Sequence, residues 1–196
     1  MAAQKNSKAP KKQCPDWRWI FTIFFITVLI SAVMSLISTN LLSSATLGVS
    51  FVILICIIAI GIVFDIIGVA VTAADEKPFH SMASRKVPEA TQALKLIRNA
   101  GRVSSFCNDV IGDICGVISG SAAATIAARV LAMHPGMREI VLTLAMSALA
   151  AGLTVGGKAC GKSFAIDSST SVVRTAAMVL HFFHTIPEKL RPKRRR

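Results

Sequence analysis

The chain has 196 residues, 53% of them hydrophobic and 16% charged, with a formal net charge of +12. A soluble domain carries about 25% charged residues, so this composition excludes one and reads as an all-α, polytopic membrane protein of one domain. The five cysteines, Cys14, Cys56, Cys107, Cys115 and Cys160, show no CxxC spacing, which argues against a zinc site or a disulfide framework.

Residues 1–18 form a basic tail carrying Lys5, Lys8, Lys11, Lys12 and Arg18. An apolar run over about 19–38 follows. It is too long for a signal-peptide core and lacks a small-residue cleavage site, so it is predicted to be a membrane span. A second span covers about 47–74, interrupted only by Asp65. Residues 75–102 break the pattern with Pro78 and Pro88 and carry Lys77, Arg85, Lys86, Lys95, Arg98 and Arg102. Within this linker, Ala90, Ala93, Leu94 and Ile97 recur at helical spacing, which predicts an amphipathic helix on the cytoplasmic membrane surface. A third span covers about 106–133 and a fourth about 140–157, giving a transmembrane domain over 19–166.

The last segment, 167–196, opens on Asp167, Ser168, Ser169 and Thr170, a set of capping residues, and continues as an apolar helix over 172–186. At about 15 residues it is short for a span and reads as an interfacial belt helix followed by a basic tail. Its His181 and His184 share a face, but no third metal ligand stands near them in sequence. Both tails and the 75–102 linker are basic, whereas the 38–46 link is uncharged. The positive-inside rule therefore predicts four spans in the cell (inner or plasma) membrane with both termini cytoplasmic. The basic residues also attract anionic lipid, and no soluble domain is available to form a nucleic-acid groove, so the expected partner is the bilayer and not nucleic acid.

Four charges lie within or at the inner edge of the apolar runs: Asp65, Asp109, Asp113 and Lys158. A charge in hydrocarbon costs about 2.5–3.5 kcal/mol even on lenient scales, so such residues are expected to face a bundle interior or a wet cavity. Asp109 and Asp113 are four residues apart and point the same way, beside Gly112, Gly116 and Gly120 at the period of close helix contact. Oxygen ligands of this kind suit a hard divalent cation.

The fourth span turns glycine-rich between Gly152 and Gly161. A broken helix exposing backbone to a cavity and close packing through small residues both account for that pattern. The same stretch, Gly156-Gly157-Lys158-Ala159-Cys160-Gly161-Lys162-Ser163, matches G-x-x-x-x-G-K-[ST] letter for letter. It lacks the preceding strand and the α/β sheet that let such a loop cradle phosphates. No nucleophile–base arrangement is visible either, so an enzyme is not expected.

Three motifs, in order, resemble the transmembrane domain of the CNNM/CorC-type magnesium and cobalt transporters. Phe64-Asp65-Ile66-Ile67-Gly68-Val69-Ala70 stands where that family has F-S-G-S-E-x-A. Ala93-Leu94-Lys95-Leu96-Ile97-Arg98-Asn99-Ala100-Gly101-Arg102 looks like its A-L-x-L-L-x-N-P-x-R stretch. Gly157-Lys158-Ala159-Cys160-Gly161-Lys162-Ser163-Phe164-Ala165 resembles G-E-I-x-P-K-x-x-A. The likeness covers roughly residues 60–190; the first span looks like an addition, and the family's cytosolic regulatory domains are absent.

The resemblance implies a homodimer with a magnesium or other divalent-cation site between the spans, open to the cytoplasm. Transferred residue by residue, the metal set would be Asp65, Asn108, Asp109 and Asp113, with Lys158 as their charge partner. Two positions depart from the family: Asp65 replaces a serine, and Lys158 stands where a ligand glutamate belongs. An ammonium there repels a divalent ion and can pair with Asp65 or Asp113 instead. The expectation is an altered cation site in a divalent-cation transporter, or a non-transporting structural or regulatory subunit derived from one.

Overall fold

A computed structural model describes residues 17–134, 136 and 138–190, without the side chains of Trp19 and of residues 183–190. Residues 1–16 and 191–196 of the basic tails, Cys14 among them, and the His184 side chain lie outside this description. Among the described residues the structure is helical throughout, and four helices are long and apolar enough to cross a membrane.

Helix α1 (Trp17–Ser44) runs past the expected end of the first span. No glycine or proline interrupts 39–44, and the Ser43 and Ser44 hydroxyls donate to the Asn40 carbonyl within the last turns. The uncharged link thus shrinks to Ala45 and Thr46 before α2 (Leu47–Ala73). Helix α3 (Lys77–Ser84) follows, with Pro78 in its first turn, where a missing N–H costs nothing. Lys86 then adopts a left-handed φ of 57°, which turns the chain toward Pro88 and α4 (Ala90–Arg98).

The third span is continuous from Ala100 to Met133 but not uniform. It comprises α5 (Ala100–Ser105), a π-helical segment (Phe106–Gly112) and α6 (Asp113–Met133). After a turn come α7 (Glu139–Asp167) and α8 (Ser169–Leu190). Helix α7 passes unbroken through Gly152–Gly161, so of the two readings of that stretch it is the close packing that holds, at Gly157 and Gly161, and the apparent phosphate loop is ordinary helix. Asp167 ends α7 instead of capping the next helix, and α8 is longer than the predicted 172–186.

Three apolar clusters succeed one another along the bundle. At one end Leu42, Leu54, Ile58, Ala122, Ala123, Ile126 and Ala150 join all four spans. In the middle, Ile57 packs on Val110, Ile114, Cys115 and Ile118. At the other end Phe79, fully buried, is held between Ala70 and Val71 of α2, Ala93 of α4, Ala165 of α7, and Val173 and Ala177 of α8. The amphipathic linker therefore buries its small face against the bundle end and α8, and Glu89 of its turn pairs with Arg174 at 3.4 Å.

Helix α2 lies at the centre because glycines let its neighbours approach. A Cβ on Gly61 would stand 2.9 Å from Cys115 Cβ of α6, and one on Gly161 of α7 would stand 2.7 Å from Ile66 Cγ1. Gly157 meets Ile62 in the same way. By contrast, Gly116 and Gly120 have nothing within 4 Å of a built Cβ. Cys115 Cβ is tied to backbone and cannot swing aside, so Gly61→Ala should force α2 and α6 apart at a cost of about 1–3 kcal/mol. Its thermal midpoint in detergent should fall clearly, while Gly116→Ala and Gly120→Ala should leave the midpoint near wild type.

Candidate functional site

The centre of the candidate site is an ion pair. Lys158 Nζ of α7 lies 3.5 Å from Asp65 Oδ1 of α2, with 26% and 16% of the two side chains exposed. Parallel packing of the two helices, fixed by Gly157 on Ile62 and Gly161 on Ile66, brings Lys158 level with Asp65. The third side of the site is Gly112, the last residue of the π segment. A Cβ there would be 3.1 Å from Lys158 Nζ, 3.9 Å from Asp65 Oδ1 and 3.5 Å from the Cys107 carbonyl oxygen. The missing side chain of Gly112 thus gives the ammonium its room.

One turn earlier the π segment directs Asn108 against α2. The Asn108 amide occupies the space that a side chain on Gly68 would take. Its Nδ2 donates to Ser104 Oγ at 3.3 Å, while its buried Oδ1 has no hydrogen-bond partner among the described residues. π segments recur at functional sites because the extra residue in the turn re-aims side chains. Here it places Asn108 on the same side of the third span as Gly112.

Asp109 and Asp113 share a face, as their spacing predicts, but it is the outer face, and both are exposed. The structure therefore brings Asp65, Lys158 and Asn108 toward one region and leaves the aspartate pair outside it. The expectation that all four intramembrane charges face the interior is corrected on this point. The reason is rotational: α6 buries Ile114, Cys115, Ile118 and Ala122 against α1 and α2, and this turns position 113 outward. Among the described residues no three His, Cys, Asp or Glu side chains group closely enough to hold a metal.

A fifth intramembrane charge, Arg129 of α6, carries a role that the sequence reading did not assign. Its Nη1 donates to the Ala45 carbonyl at 2.8 Å and to Ser50 Oγ at 3.3 Å, and its Nη2 donates to the Ser43 carbonyl at 2.9 Å. Arg129 thereby ties the α1–α2 turn to the third span, at the end of the bundle remote from α3, α4 and α8. The available signal was its position as the only basic residue within 106–133. Arg129→Ala should destabilise the fold by about 1.5–3 kcal/mol, the range for losing hydrogen bonds to a charged group, read as a lower thermal midpoint.

For the ion pair, Lys158→Met leaves Asp65 as an uncompensated carboxylate at membrane depth. It should be more destabilising than the double change Lys158→Met with Asp65→Asn, in which neither charge remains. Equal midpoints for the single and double variants would show that the unpaired Asp65 carboxylate carries no cost of its own. Compared with known proteins, the chain matches no family model, and no curated protein and no solved structure matches it. The resemblance to the CNNM/CorC-type domain thus rests on the three motifs alone.

Proposed function

We propose that the chain is a structural or regulatory subunit of a cell membrane, in which an internal ammonium takes the place that a bound divalent cation would need. The observation that carries this reading is the 3.5 Å approach of Lys158 Nζ to Asp65, beside Gly112. A divalent ion at Asp65 would face a fixed positive charge at the same carboxylate. That repulsion is strong in a medium of low dielectric. Asp109 and Asp113, which could supply further anionic oxygens, are exposed on the outer face of the third span. The pair joins α2 to α7 with no net charge, so it supports a locked bundle more readily than a path for ions. The basic residues of 75–102 lie in the segment at the Phe79 end, which supports a cytoplasmic side for that end by the positive-inside rule.

The second reading is the divalent-cation transporter, for magnesium or cobalt, with Lys158 as a movable gate. It is favoured by Asn108 Oδ1, a buried carbonyl oxygen without a partner among the described residues, which is the type of ligand a hard cation accepts. Thermal unfolding of the purified chain in detergent, titrated with magnesium and with cobalt, separates the two. On the subunit reading the wild-type midpoint does not move beyond the effect of ionic strength. Lys158→Glu, which restores a carboxylate, then gains a saturable divalent-ion shift. A saturable shift in the wild type would overturn the subunit reading in favour of the transporter.

A further inference from the structure

The three acceptors that Arg129 binds, two backbone carbonyls and the Ser50 hydroxyl, are neutral. Among the described residues, Arg129 is in no ion pair with a carboxylate. These bonds satisfy donors, and the negative C-terminal end of α1, about half a charge, offsets only part of the guanidinium's charge. A guanidinium has five N–H groups, so two remain beyond the three bonds described. Met133 ends α6 four residues later, which puts the half-buried Arg129 about 6 Å inside the helix end, where an anion beside it would be favourable.

A cavity of about 130 Å³ lies beside this guanidinium, between α1 and α6. Its polar lining comes from Ser38, Thr39 and Ser43 of α1 and from Ser121, Thr125 and Arg129 of α6. Ser121, Thr125 and Arg129 follow one another at intervals of four and form one column facing α1. Ser43 and Thr125 now donate to helix carbonyls, of Asn40 and Ser121, but a hydroxyl rotor can exchange such a bond for an incoming acceptor. The lining holds one cation, five hydroxyls and no carboxylate, which is the chemistry of an anion site. The volume is roughly ten times the ~10–15 Å³ that a single water requires. A planar guanidinium fork suits a phosphate better than a spherical halide.

We infer that the Arg129 pocket binds a phosphate-type oxyanion, either the headgroup phosphate of a membrane lipid or inorganic phosphate from the adjoining aqueous phase. The pocket is at the end of the bundle away from Lys158 and Asp65, so its occupancy is independent of the function proposed for that pair.

The test is thermal unfolding of the purified full chain in two arms. In neutral detergent, inorganic phosphate is titrated against sodium chloride at matched ionic strength. In bilayer discs, neutral phosphatidylcholine is compared with the same lipid containing graded phosphatidic acid. A saturable rise of the midpoint in the phosphate arm identifies a free anion, and a rise only with phosphatidic acid identifies a lipid headgroup; either supports the site. The double variant Ser121→Ala/Thr125→Val, which leaves the bonds to the α1–α2 turn intact, should weaken the apparent affinity by about tenfold or more. Arg129→Gln should abolish the response. The inference is overturned if neither arm shows a saturable shift, or if the double variant responds as the wild type does.

Discussion

The bundle depends on how closely α2 can approach its neighbours. Helices in hydrocarbon gain no hydrophobic free energy from touching one another, because lipid tails are as apolar as their side chains. They associate where backbones come close enough for dense van der Waals contact. Gly61 against Cys115, and Gly157 and Gly161 against Ile62 and Ile66, are those places. Each glycine within a helix costs about 1 kcal/mol relative to alanine, which is offset by the contact it permits. The same contacts set the rotation of α7 and so decide that Lys158 looks at α2.

The charge arrangement follows from that geometry. An unpaired lysine or aspartate at this depth would be expensive, and the approach of α2 and α7 converts two such costs into one neutral pair. Gly112, at the end of the π segment, leaves the volume that the ammonium fills. The packing glycines, the π segment and the ion pair are thus parts of one solution: bring three spans together around opposite charges without a bulky side chain between them. Asp109 and Asp113 take no part in it, and their charges meet whatever lies outside the chain.

The two ends of the bundle are held by different physics. At the α3–α4–α8 end, Phe79 is enclosed by small apolar side chains, and the exposed ion pairs around it, such as Arg98 with Glu76 at 3.6 Å, contribute little. At the other end a single arginine replaces an apolar anchor. Arg129 reaches the α1–α2 turn with charge-assisted hydrogen bonds, which are strong where water is scarce. A cation used as a clamp in this way has only part of its charge offset, and that residue of charge gives the neighbouring hydroxyl pocket its anion character.

Hydropathy alone determined the number of spans, their order and the amphipathic nature of 75–102, because the apolar runs are long and the charges between them few. It did not determine where α1 or α7 stops. Those helices continue through Ser44 and Asp167 because nothing in their sequences breaks them and the structure supports their ends. Asp65 and Lys158 were legible as candidates from depth and charge, yet their pairing required the parallel register of α2 and α7. The aspartate spacing correctly gave a shared face, but which way that face points is a property of the whole bundle. Periodicity fixes the angle between side chains on one helix; only packing against other helices fixes the rotation of that helix, and with it which charges meet.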